Sequence, residues 1–197
     1  MMRTRDPNKE DAVKQKAIEM LVKYGIEGFG MNRLAKESGV SVATLYIYYS
    51  DKDDLIKKIG TEIGLAFFSE MVKDFSPSMS FKEGLRKQWE NRARFTLKNP
   101  LKVACWEALS HSSYRDNILE ESLADFKKTM WSFIENALER KELLPISIEV
   151  FWSVAYGPLY ALLRFENEGK SFGDTPFKLT EEKMDEAFEL VIKALTP

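Results

Sequence analysis

The chain has 197 residues, 44% of them hydrophobic and 30% charged, a balance that excludes disordered and collagen-like chains. A single Cys and a single His exclude a disulfide framework and a structural zinc site, which needs about four Cys/His ligands. They also leave His111 as the one imidazole on which a His-based triad could rest. The formal net charge is −2, which excludes a basic nucleic-acid coat over the whole surface. It hides an asymmetry, however. Residues 1–60 carry 11 Lys+Arg against 9 Asp+Glu, and residues 61–197 carry 18 against 22, so a basic head precedes an acidic body.

Elements in chain order read as helices nearly throughout, an all-α chain of about nine. Asp6-Pro7 is an N-cap and first-turn proline. Behind it Val13, Ala17, Met20, Leu21 and Tyr24 repeat at helical spacing up to Gly25. A short helix follows from about Met31 to Ser38 and ends at Gly39. Another runs from about Val42 to Tyr48 behind an N-cap at Ser41. The fourth opens on a capping box of Ser50 and Asp53 and continues to about Phe75; a second box, Ser80 to Glu83, opens the fifth. Asn99-Pro100 divides the fifth from the sixth. A long helix is expected from Tyr114 to Lys141, another from Pro145, and a last one from Thr180 to Thr196. The first ten residues are polar, unlike a secretory signal. The longest uncharged apolar run, Val150 to Leu163, is 14 residues, short of the ~18–20 a membrane span needs. The expectation is a cytoplasmic protein with no membrane partner.

Residues 31–48 hold the informative pattern: two short helices joined by a Gly-containing turn, a helix-turn-helix. Ala35 is small enough for the second helix to cross close, Gly39 supplies the positive φ of the turn, and Leu34, Val40 and Leu45 are the apolar pegs between the pair. Val42, Ala43, Thr44, Tyr46 and Tyr48 are left over on the second helix. Short polar and phenolic groups there suit phosphates and base edges in a major groove. A plain helical hairpin inside a bundle is the competing reading. It leaves unexplained why Tyr46, Tyr48 and Tyr49 crowd one short helix just before Lys52.

Over about Lys9 to Ile59, with its core at "YGIEGFGMNRLAKESGVSVATLYIYYSDKDDLI", the chain resembles the TetR family of transcriptional regulators. It departs from the family pattern at Gly30-Met31, where Thr or Ser usually opens the second helix, and at Ile47-Tyr48-Tyr49, where many members carry His or a basic residue. The resemblance implies a DNA-binding domain over residues 1–50 and a ligand-binding and dimerisation domain over 51–197, the fourth helix linking them. Residue by residue, it implies phosphate contacts from Thr44 and Tyr46, base-edge contacts from Asn32 and Tyr48, an apolar base contact from Val42, and a phosphate clamp at Lys52 near the start of the fourth helix. Arg3 and Arg5 stand in an N-terminal arm that could reach phosphate or a minor groove.

The resemblance also implies a mostly apolar small-molecule pocket in the body. The candidates for its wall are Gln88, Trp89, Arg92, Trp106, Trp131, Trp152 and Tyr156, the alternative being a plain aromatic core. His111 and Cys105 read more simply as an ordinary imidazole and a buried small hydrophobe than as sensors. Val150 to Leu163 is apolar on every side and the last helix is amphipathic, so the two read as helices that meet their copies in a homodimer. The candidates for that interface are Phe151, Leu159, Leu162, Met184, Phe188, Val191 and Leu195. The resulting expectation is a dimeric regulator of a double-stranded DNA operator, responsive to a small-molecule effector, with no cofactor and no enzymatic activity. The competing classes are a helical binding protein or enzyme whose head is only structural, and a protein-interaction module.

Overall fold

The computed structural model describes residues 7–197; Asp6, Arg3 and Arg5 lie outside the described residues. Among these there are ten α-helices: α1 (Pro7–Gly28), α2 (Met31–Glu37), α3 (Val42–Tyr48), α4 (Lys52–Met71), α5 (Phe81–Lys98), α6 (Pro100–Ser110), α7 (Arg115–Ser122), α8 (Ala124–Glu139), α9 (Ile148–Glu168) and α10 (Glu181–Leu195). A 3-10 turn occupies Phe172–Asp174. The fold is all-α, as the sequence predicts.

Most helix boundaries follow from caps. Gly25 interrupts α1 at φ 68°, ψ 176°. Ser41 caps α3, Ser80 and Glu83 form their reciprocal box, and Pro100 sits in the first turn of α6. Thr180 caps α10 through the Lys183 N–H. Four expectations need correction. The box at α4 lies one residue later than predicted: Asp51 Oδ1 accepts from the Asp54 N–H at 2.8 Å, and the Asp54 carboxylate accepts from the Ser50 N–H at 2.9 Å. The helix itself stops at Met71 rather than Phe75. The single helix expected over 114–141 is two helices, α7 and α8. At their junction the buried Ser122 hydroxyl donates to the Ile118 carbonyl at 2.6 Å, a back-bond that bends helices. Finally, α9 begins at Ile148 on a Ser147 cap, not at Pro145.

The chain forms two compact units, one of residues up to Ala66 with Asn99–Ala124, the other of Phe67–Lys98 with Asp125–Pro197. In the first, α1 packs on α2 and α6, and α2 on α3. Its core brings together Val13, Ala17 and Leu21 of α1, Leu34 of α2, Leu45 of α3 and Ile56 of α4. Cys105 and Leu109 of α6 and Ile118 of α7 complete it, so α6, which packs on α1, and α7 share a core with the helix-turn-helix. In the second unit α5 packs on α9 and α9 on α10. Its core is aromatic: Phe81 stacks on Phe133 with centroids 6.0 Å apart, and Trp89 meets Phe188 edge-on at 5.3 Å.

Candidate nucleic-acid interface and ligand site

The turn between α2 and α3 closes as a Schellman motif. Gly39 takes φ +67°, the Val40 N–H donates to the Ala35 carbonyl at 3.0 Å, and the Gly39 N–H donates to the Lys36 carbonyl at 3.4 Å. Leu34 and Leu45 are fully buried between the helices and Val40 packs against them. Ser41 Oγ accepts from the Thr44 N–H at 3.1 Å and lies 2.8 Å from the Thr44 hydroxyl. These contacts fix α3 on its core and leave Ala43 and Tyr46 facing solvent, Tyr46 at 53% exposure, with Val42 and Thr44 half-buried beside them. Asn32 is exposed on α2.

One of the predicted DNA contacts is placed differently. Tyr48 is only 5% exposed and belongs to the hydrophobic core. Its ring follows Leu45 by three residues, one turn, and therefore shares the inward face of α3. Lys52 Nζ donates to the Ile26 carbonyl at 2.8 Å, so it also ties the start of α4 to the end of α1. Arg33 reaches the same region, with its guanidinium 4.7 Å from the Tyr24 ring centroid.

In the second unit the structure brings Gln88, Arg92, Trp152 and Tyr156 together, with Phe126, Tyr160 and Met71 added. Arg92 is 1% exposed. It donates to Tyr160 Oη at 3.0 Å, to Gln88 Oε1 at 3.2 Å and to Met71 Sδ at 2.8 Å. Its guanidinium lies 3.9 Å from the Tyr156 ring centroid, 5.4 Å from that of Trp152 and 5.7 Å from that of Phe126. Burial works against the Arg92 charge, the phenols of Tyr160 and Tyr156 outweigh it, and the guanidinium stays a cation. Burial also pushes the Tyr156 phenol up, against the pull of Arg92, which keeps it neutral near pH 7. Gln88 and Asn91 serve α4 as well. Their side-chain amides donate to the Met71 carbonyl at 2.9 and 3.1 Å, pairing a helix end that would otherwise lack a partner.

The other pocket candidates lie elsewhere. Trp89 is wholly buried and its indole N–H donates to the Ala155 carbonyl at 2.8 Å, making it a core residue. Trp106 belongs to the first unit. Trp131 is 51% exposed, its indole N–H bonded to Glu135 on the same helix. Sequence reasoning missed Tyr160 as a site residue although it continues the 152, 156, 160 stripe at i+4 spacing, the signal that would have found it. Of the proposed interface residues, Phe151, Leu159, Phe188, Val191 and Leu195 are all buried within the chain, because these are the faces on which α9 and α10 pack on their own unit; Leu162 and Met184 are half-exposed. His111 is exposed, with Nδ1 2.8 Å from the Glu107 carbonyl. Burial pushes the Cys105 thiol up to about 12.

The chain thus joins a unit that contains the helix-turn-helix to a second helical unit with a polar cluster in its interior. Residues 15–59 match the family of bacterial regulatory proteins, tetR family, a match that covers the helix-turn-helix and its flanking helices. An HTH-type transcriptional regulator of Haemophilus influenzae is 31% identical over 81 residues, 41% of this chain and 43% of that protein. One of Staphylococcus aureus is 26% identical over 99 residues, 49% of this chain and 52% of that protein. The matches thus span about half the length of the curated relatives. The fold is similar over its whole length to a TetR family transcription regulator from Marinobacter aquaeolei VT8, with a TM-score of 0.78, 24% identity and 98% of each chain covered.

Proposed function

We propose that this chain is a DNA-binding transcriptional regulator that acts in the cytoplasm as a homodimer on a palindromic operator, and that a small-molecule effector bound in the second unit releases it. The observation that carries the reading is the solvent-facing side of α3, held in a capped helix-turn-helix by a Schellman turn. Tyr46 and Thr44 are assigned to phosphate, Asn32 to base edges, and Ala43 with Val42 to apolar base contacts. Two copies of α3 related by a two-fold would enter successive major grooves about 34–36 Å apart. The dimer is assigned to the outward faces of α9 and α10, where Gly157 and Leu190 are exposed and Ala161, Leu162, Met184 and Ala187 are half-exposed. Leu190, at 61% exposure, is an aliphatic side chain that a two-fold contact would cover. Repression is the mode adopted, since an occupied operator blocks transcription without any further partner.

The relatives are HTH-type transcriptional regulators, and the reading assigns the chain no catalytic residue. A Thr44→Ala/Tyr46→Ala variant tests it: the variant should fold and dimerise as wild type yet bind the operator at least tenfold more weakly. Unchanged operator affinity in a folded dimer would refute the assignment of α3.

A further inference from the structure

We infer that the effector is an organic monocarboxylate whose acid group pairs with Arg92. The inference rests on the reading of the second unit as the effector-binding unit and specifies its ligand. Arg92 is a cation with 1% exposure, and every group it donates to is neutral: a phenol, a carboxamide and a thioether. No carboxylate pairs with it among the described residues, although buried charges in folded proteins are ordinarily paired. Beside it three buried polar atoms have no hydrogen-bond partner: Arg92 Nε, the Tyr156 hydroxyl and the Thr96 hydroxyl. Thr96 follows Arg92 by four residues and shares its face of α5.

The chemistry of the missing partner follows from the surroundings. Tyr156 lies over one face of the guanidinium at 3.9 Å, and on the edge of the fork Nε is unpaired while the terminal nitrogens hold only neutral partners that a carboxylate would displace. A carboxylate satisfies that edge in plane through two parallel N–H···O bonds. One uncompensated positive charge calls for one negative charge, which favours a carboxylate over a phosphate dianion. Phe126 and Trp152 flank the cation with centroids within 6 Å of it, so the remainder of the ligand is apolar or aromatic. Trp152 and Tyr160, each 38% exposed, lie one turn to either side of Tyr156 on α9 and form the outer wall. Entry is therefore past these two side chains, with Tyr160 giving up its bond to Arg92.

The same cation holds the end of α4. Arg92 touches Met71 Sδ and Gln88 Oε1, and Gln88 in turn pairs the Met71 carbonyl. A carboxylate that takes over Arg92 competes with these contacts and so bears on α4, whose first turn carries Lys52. At the other end of α4 Lys52 is bonded to the Ile26 carbonyl, so on this inference α4 is the element through which an effector would bias operator binding.

The test is calorimetric titration of the full chain with benzoate, phenylacetate, 3-phenylpropionate and octanoate, each beside its primary amide, with thermal unfolding as a second readout. At least one acid should bind saturably and raise Tm, and its amide should bind at least tenfold more weakly. Arg92→Met should remove that preference while its circular dichroism stays helical, because an apolar chain of similar length fills the place of the guanidinium stem. Should Arg92→Met not fold, Arg92→Lys is read instead, and it should lose at least fivefold in acid affinity because a point charge replaces a planar fork. Binding of no acid, equal binding of acid and amide, or acid binding unchanged in the Arg92 variants overturns the inference. Operator binding by the unliganded protein is measured separately. Acid recognition without DNA binding would sink the regulator reading alone, and DNA binding without acid recognition would sink this one alone.

Discussion

Replacing Gly39 with Ala tests the turn that orients α3. The residue sits at φ +67°, and a Cβ built on it meets nothing within 4 Å. No clash contributes, so the whole effect is the strain of placing an L side chain in the left-handed region, about 1–2 kcal/mol. Part is offset because Ala narrows the unfolded ensemble, by about 0.4–1 kcal/mol, leaving a net destabilisation of about 1 kcal/mol. In a domain of this size that lowers Tm by about 2–4 °C. Gly30 is the control: its Cβ also meets open space, but its backbone is extended at φ −152°. Gly30→Ala should therefore stay within about 0.5 kcal/mol of wild type. Gly39→Asn should lose less than Gly39→Ala, since Asn tolerates the left-handed region. Urea unfolding of all three, read by Trp fluorescence, checks the series. Equal stabilities for Gly39→Ala and Gly30→Ala would refute the argument that the sign of φ requires glycine in this turn.

Four further outcomes follow from the same geometry. Asp51→Ala removes the acceptor of the Asp54 N–H and should cost about 1 kcal/mol in urea unfolding. Burial raises the Asp54 pKa, but the Ser50 N–H and Lys58 outweigh it and hold it below the ordinary carboxylate value. Its contribution is thus fully present above the unfolded carboxylate pKa and fades as pH falls through the folded one. Stability measured from pH 6 down to pH 3 should show a shallower acid loss in Asp54→Asn than in wild type. Gly84→Ala drives a Cβ into the Phe133 ring and should destabilise by about 1–3 kcal/mol through overpacking of α5 on α8, read as a lower Tm. Leu190→Glu should shift the protein to monomer in sedimentation while its circular dichroism stays helical; a persistent dimer would move the interface off this face.

How much of this was legible in the sequence depended on whether the signal was local. Caps and turns are local chemistry, so the bounds of α3, the Ser80 box and the positive φ of Gly39 could all be read directly. The register of the Asp51 box could not, because Ser50, Asp51, Asp53 and Asp54 offer two overlapping pairings and packing of α4 selects one. The break between α7 and α8 was also hidden. No Gly or Pro marks it, and it coincides with the buried hydroxyl of Ser122. Burial faces were harder still. Phe151 and Phe188 were apolar at helical spacing, which is equally the pattern of a core and of an interface, and the structure shows them facing inward. Tyr48 had the polar handle of a DNA contact but the position of a core residue, one turn from Leu45. Arg92 shows the reverse. Its place beside Gln88 and Trp89 was legible, but that it would be buried without an acid is a fact of three dimensions.

The measurement closest to the central claim is selection of bound sequences from a random duplex pool at two salt concentrations. A regulator with two copies of α3 should enrich a palindrome with half-sites one helical turn apart, and its affinity should fall steeply with salt as phosphate contacts release counterions. Failure of the folded, dimeric, ligand-free protein to enrich any sequence would contradict the assignment of α3 to DNA.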